Sequence, residues 1–126
     1  MNIPSDLRYT TDHEWIKVNG NTALVGITDF AQGELGDIVF VEIETVGNHL
    51  EKGSTFGSIE AVKTVSDLFI PVSGKVLELN GKINVTPELI NKDPYGDGWL
   101  IKIEMDDPAQ VSELMDAVAY TALINA

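Results

Sequence analysis

No cysteine occurs among the 126 residues. That absence excludes disulfides, thiolate catalysis and cysteine-based metal sites, so any thiol chemistry must be imported on a cofactor. Bases are scarce as well: 8 Lys and Arg stand against 20 Asp and Glu, for a formal charge of -12. Such a chain repels nucleic acid and anionic membrane and suits a soluble protein that meets other proteins through basic patches on them. No stretch approaches the roughly 20 apolar residues of a membrane span. The first six residues, Met1 to Asp6, have neither a basic nor an apolar leader segment and are not Arg-rich. The expected location is therefore the cytoplasm, or the chain is a mature form already processed.

Catalytic groupings are equally sparse. The two histidines, His13 and His49, lie far apart in sequence with no third ligand at a standard spacing. Asp12, His13 and Glu14 are adjacent, but neighbours on a strand point to opposite faces and cannot close on one metal. No serine sits in a recognised nucleophile motif, and no glycine-rich phosphate loop is present. Carboxylate pairs abound in so acidic a chain and carry no information. The residues favour a carrier or binding module over an enzyme.

What is present reads as short strands punctuated by turns. Glu14 to Val18 and Thr22 to Thr28 are β-rich, and Asn19-Gly20-Asn21 between them is a strong hairpin signal. Thr28 can cap a single helical turn that Gly33 and Gly36 would limit. Asp37 to Glu44 is expected as a strand with Val39, Val41 and Ile43 on one face. Further strands are expected over Ser54 to Val62, Val65 to Ile70 and Lys75 to Leu79, the last closed by a second Asn-Gly at Asn80-Gly81. Trp99 to Met105 alternates, with Trp99, Ile101, Ile103 and Met105 inward. Thr86-Pro87 predicts a capped helix start. Asp107-Pro108-Ala109-Gln110 predicts a capping box, followed by a C-terminal helix through Val111, Leu114, Met115 and Val118. This pattern, without a linker or low-complexity segment, implies a single mostly β domain over 1–126, a sandwich or flattened barrel with short helices.

One residue stands out. Lys63 sits at the centre of Phe56 to Asp67, an otherwise apolar and β-prone stretch, with Glu60 three residues before it and Asp67 four after. An ammonium there needs water, so the chain must bring this point to the surface. A presented lysine between two strand-like arms is what a swinging-arm carrier requires, since its amine can be acylated without a pocket of the protein around it. Considered alone, one lysine among seven would be an ordinary solvated side chain.

Ordered runs along the chain change that balance. Tyr9 to Trp15, Val25 to Gln32, Leu35 to Glu42 and Ile59 to Lys63 lead the series. Ser66-Asp67-Leu68, Pro71 to Val76, Pro87 to Asn91 and Asp93 to Leu100 complete it. In this order and over essentially the whole length, the chain resembles the H proteins of the glycine cleavage system, which are lipoyl carriers. The resemblance implies a lipoyl-domain-like β-sandwich with Lys63 at a hairpin tip and lipoate attached to its amine. Local propensity does not show that turn, because Val62-Lys63-Thr64-Val65 contains no Gly, Asn, Asp or Pro. An amide-linked lipoyl arm of about eleven bonds would reach on the order of 14 Å from the Cα.

By the same resemblance, the carrier takes an aminomethyl group from a pyridoxal-dependent glycine decarboxylase (P protein) to a folate-dependent aminomethyltransferase (T protein). A dihydrolipoyl dehydrogenase (L protein) then reoxidises it, and a lipoate ligase or octanoyltransferase attaches the cofactor. The chain itself catalyses none of these steps and is expected to be a monomer. Glu14 and Asp67 match acids near the cleft that shelters the loaded arm, and Glu60 matches the acid read by the attaching enzyme. Phe30 departs from the family, standing where His or Tyr is common; Ala61 and Thr64 are smaller departures. Biotinyl carriers place their lysine between methionines, whereas Val62 and Thr64 flank it here. Some H proteins chiefly relay octanoyl or lipoyl groups to other carriers, a role that uses the same lysine.

Overall fold

The computed structural model describes residues 1–125. Nine strands form two antiparallel sheets. The larger sheet has the order β1 (Arg8–Tyr9), β2 (Glu14–Asn19), β3 (Thr22–Ile27), β9 (Ile101–Met105), β8 (Gly74–Leu79) and β5 (His49–Leu50). The smaller sheet is β4 (Ile38–Glu42), β6 (Thr55–Ala61) and β7 (Val65–Phe69), with β6 in the middle. The architecture is a mostly β sandwich whose sheets stay separate rather than closing into a barrel.

Alternation along the strands builds the core. Ile16, Val25, Ile101 and Ile103 from the larger sheet join Phe56, Ile59 and Leu68 from the smaller one in a single buried cluster. Trp15 points the other way from Ile16 and belongs to a second cluster with Leu7, Tyr9 and Tyr120. Strand β2 is thus covered on both faces at its first half. The expected β2–β3 hairpin forms, with Asn19 opposite Thr22 and Gly20-Asn21 as its two-residue loop. Gly20, with φ 64°, supplies the left-handed first turn residue.

Several local expectations are corrected. Helix α1 (Asp29–Leu35) is capped by Thr28, whose side chain accepts the Ala31 N–H, but it runs two turns and passes through Gly33. It stops at Gly36, where φ is 80°. In β4, Ile38 and Val41 are buried while Val39 and Phe40 are 48% and 51% exposed. A β-bulge between Ile38 and Phe40 inserts one residue and rotates Val39 outward, a shift that a strict two-residue period does not contain. Asn80-Gly81 is not a hairpin turn: Asn80 caps α2 (Gly81–Val85) by accepting the Lys82 N–H. Thr86 ends that helix, and α3 (Leu89–Lys92) starts after Glu88 with no side-chain cap.

The C-terminal region also differs. Asp107 caps a 3-10 helix (Pro108–Glu113), but Gln110 accepts the Ser73 N–H instead of completing a capping box. Leu114 and Met115 leave helical geometry, and a separate helix α4 (Ala117–Ile124) begins after its cap Asp116. Val118 is 79% exposed, so Tyr120 rather than Val118 anchors α4 to the sandwich.

Candidate functional site

Lys63 lies in the connection between β6 and β7, exposed, beyond the last strand pair Glu60 and Val65. The Ala61 N–H donates to the Thr64 carbonyl at 2.7 Å, and the Val62 N–H donates to the Asp37 carbonyl at 3.0 Å. The tip is therefore closed on itself and tied to the start of β4. Neither Val62 nor Lys63 takes a positive φ, which is how a hairpin forms without glycine or asparagine. None of the ion pairs among the described residues involves Lys63.

The lysine stem runs over Gly36. A Cβ placed on Gly36 would stand 3.5 Å from Lys63 Cε and 3.8 Å from its Nζ. The amine thus sits beside the carbonyl end of α1, whose last turn carries no base of its own. Asn91 fixes this platform. Its Nδ2 donates to the Gly36 carbonyl at 2.9 Å and to Gln32 Oε1 at 3.0 Å, while its Oδ1 accepts the Ile38 N–H at 3.0 Å.

Helix α1 also forms one wall of a cleft of about 320 Å³ lined by His13, Glu14, Phe30, Glu34, Leu35 and Asp67, among others. Glu14 and Asp67 both line it, although the register of β7 stands Asp67 beside Ser58 and Glu42, on the face of the small sheet away from Ile59, so Asp67 sits at the rim; Phe30 supplies an apolar ring. Asp67 is exposed, whereas Glu14 is only 2% exposed. Glu14 Oε1 accepts the Thr10 hydroxyl at 3.1 Å and Oε2 accepts the Phe69 N–H at 2.8 Å. Burial pushes its pKa up to about 8, against the lowering effect of these two hydrogen bonds. A carboxyl of this kind changes charge near neutrality and gains most from a cationic partner. Glu60 is not in the cleft; it is exposed on the outer face of the small sheet.

Sequence reasoning set His13 aside as a poor metal ligand and missed its place in the cleft wall. Its φ is 66°, the one left-handed non-glycine among the described residues. Its ring lies 4.8 Å from that of Phe30, and its Nδ1 is 2.9 Å from the Tyr120 hydroxyl. Tyr120 in turn bonds Thr28 Oγ1 at 2.7 Å. Burial lowers the His13 pKa, which favours the neutral ring, and in the tautomer with the proton on Nε2 its Nδ1 accepts. A consistent donor order then runs from Ala31 N–H to Thr28, to Tyr120, to His13. One hydroxyl ties both walls of the cleft. Glu34 and Asp12 join Glu14 and Asp67 there, giving four acids around one opening. The Asp12-His13-Glu14 triplet was the available sequence signal, but only the left-handed turn at His13 puts all three on one rim.

A family model described as Glycine cleavage H-protein matches residues 7–126. The chain belongs to the glycine cleavage H-protein family. It is 60% identical over 126 residues to the Glycine cleavage system H protein of Chlorobium limicola, covering 98% of each chain. The protein of the same name from Bacteroides thetaiotaomicron is 58% identical over 125 residues, with 99% of each chain covered. Among solved structures, the glycine cleavage system H protein of Mycobacterium marinum superposes with a TM-score of 0.89 at 40% identity, over 98% of this chain and 100% of that one. The lipoyl-domain-like fold expected from the sequence is the observed one, and the H-protein family role is that of lipoyl carrier in the glycine cleavage system. Among the described residues, no helix is long and apolar enough to cross a membrane.

Proposed function

We propose that Lys63 is the lipoyl attachment site of this H protein, and that 1–126 is one non-catalytic carrier domain working in the cytoplasm. The observation that carries this reading is the Lys63 amine itself: exposed, outside every ion pair among the described residues, and held on a closed hairpin tip beside the cleft-forming helix. The residues present fit an amide-linked lipoyl group. An exposed amine is open to an attaching enzyme, and the nearby cleft combines apolar lining from Phe30 and Leu35 with carboxylates suited to a cationic cargo. Once attached, lipoate supplies a disulfide that accepts and releases an aminomethyl group and is restored by oxidation.

The chain's own part is presentation and shelter. The Ala61–Thr64 and Val62–Asp37 hydrogen bonds hold the attachment point still. Glu14 and Asp67 hold a cationic amine at the cleft, and the surrounding side chains exclude water from it. Glu60, three residues before the lysine, is the recognition acid for the lipoate ligase or octanoyltransferase. The clients are the P, T and L proteins of the glycine cleavage system, visited by a monomer.

Intact mass and peptide mapping after expression in a lipoylating host test the attachment. A lipoyl or octanoyl increment confined to Lys63 and lost in Lys63→Ala is expected. Modification spread over several lysines, or a biotinyl increment, overturns it. Lys63→Arg should fold normally and show no activity in reconstituted glycine–bicarbonate exchange, and full activity from that variant would sink the proposal.

A further inference from the structure

Glu14 lines two cavities, the cleft of about 320 Å³ and a second one of about 220 Å³. Thr10 and Phe69 line the second cavity and not the cleft, so Thr10 meets a molecule in the cleft only through Glu14. The Thr10 hydroxyl is fully committed. Its oxygen accepts the Asp12 N–H and the Glu14 N–H, both at 3.2 Å, and its proton is donated to Glu14 Oε1 at 3.1 Å. A hydroxyl has one proton and two lone pairs. With both lone pairs taken by backbone donors, which cannot reverse, the proton has the carboxyl oxygen as its one partner. The backbone supports this geometry: the Thr10 N–H donates to the Glu14 carbonyl at 2.9 Å, and the His13 N–H donates to the Thr10 carbonyl at 3.2 Å. On its other oxygen Glu14 accepts the Phe69 N–H at 2.8 Å. Two donors from different elements, one on each oxygen, fix the carboxyl plane and leave a lone pair on each oxygen free.

We infer that Thr10 is a positioning residue for the cleft acid, its hydroxyl holding the Glu14 carboxylate oriented as a preformed acceptor for the cationic cargo. The inference rests on the reading of Glu14 as the acid that holds the cargo. Orientation is coupled to ionisation here. A donor stabilises the carboxylate over the neutral acid, so Thr10 works against the burial that raises the Glu14 pKa. Without the hydroxyl, less Glu14 is ionised near neutrality, and the carboxyl is anchored at one oxygen. Other charged or titratable groups surround it: Asp12, Glu34, Asp67 and His13 at the cleft, and Lys52 with Glu113 at the second cavity. None of these hydrogen-bonds the Glu14 carboxyl; that contact belongs to Thr10 and Phe69.

The test uses the full lipoylated chain. The Glu14 titration is followed in the unloaded form by its carboxyl-carbon NMR resonance, and the lifetime of the methylamine-loaded form by release of the cargo. Thr10→Val keeps the shape and removes the hydroxyl. It should titrate Glu14 at a higher pH than wild type and shorten the loaded lifetime roughly tenfold, as loss of a hydrogen bond to a charged group does. Thr10→Ser returns the hydroxyl and should restore both readouts. Either readout at its wild-type value in folded Thr10→Val overturns the inference, whatever the loss of stability, and so does failure of Thr10→Ser to restore them. If Thr10→Val does not fold, the wild-type chain carries the test. Its Thr10 hydroxyl proton should exchange slowly with solvent and its resonance should follow the Glu14 titration; a fast-exchanging or unresponsive proton overturns the inference. Glu14→Ala keeps the two readings apart. A wild-type loaded lifetime in that variant removes Glu14 as the holding acid, whereas a shortened one beside an unchanged Thr10→Val defeats the role of Thr10 alone.

Discussion

Glu14 Oε2 accepts the backbone N–H of Phe69 at 2.8 Å, and this bond joins the two sheets. Glu14 opens β2 in the larger sheet, while Phe69 ends β7, an edge strand of the smaller one. The carboxyl group therefore does two things. It satisfies an edge N–H that no strand reaches, and it stands as the buried acid of the cleft.

The first consequence is a pH dependence of stability. The Glu14 pKa rises from 4.5 to about 8 on folding, so between those values the folded chain holds a proton that the unfolded chain has released. Stability from this group is complete below about pH 4.5 and declines as pH rises toward 8. Glu14→Gln removes the titration, and its stability should vary less across that window. Urea unfolding of both proteins at pH 5, 6.5 and 8 checks the sign; equal slopes would show that Glu14 does not titrate there.

Truncation at the same position separates shelter from attachment. Glu14→Ala should be lipoylated at the wild-type level yet lose its methylamine-loaded form faster, as measured by release of the cargo over time. It should also lose about 1–3 kcal/mol of stability, because the Phe69 N–H is left without its acceptor. An unchanged lifetime of the loaded form removes Glu14 from the site.

Tyr120 offers a near-isosteric test of the cleft walls. Tyr120→Phe keeps the ring stacked on Tyr9, whose centroid is 4.7 Å away, and deletes the hydroxyl shared by His13 and Thr28. A loss of about 1–2 kcal/mol is expected, with a shorter lifetime of the loaded form and unchanged lipoylation. Loss of stability without any change in that lifetime would confine Tyr120 to packing.

Asn91→Ala should be more damaging than its partly buried position suggests. It strips partners from the Gly36 carbonyl and the Ile38 N–H together, beneath the Lys63 stem. A cost of about 2–4 kcal/mol in urea unfolding is expected, with the two orphaned groups contributing comparably.

Much of this was legible in the chain because it depends on local chemistry. The Asn19-Gly20-Asn21 hairpin and the alternating Ile101 and Ile103 follow from turn residues and a two-residue period. Lys63 was legible as a charge in an apolar run. What escaped depends on distant partners. Val39 faces solvent because a bulge resets the pairing with β6. Gln110 abandons its helix cap because Ser73, 37 residues away in sequence, offers a backbone donor. His13 reaches the cleft through a left-handed turn, and Tyr120 closes it from a helix 107 residues downstream of His13. The assignment of Glu14 and Asp67 to one cleft came from family resemblance; the edge N–H of Phe69 that fixes Glu14 has no counterpart in local pattern.

The stiff turn at Val62 and Lys63 has a geometric corollary. With its backbone bonded to Thr64 on one side and Asp37 on the other, the mount is braced, and on the proposed attachment the sweep belongs chiefly to the arm. The space a cargo can visit is then a cap around a stationary centre. On the proposed attachment, an enzyme serving the arm has to bring its reaction centre within that cap, and the carrier needs no hinge of its own.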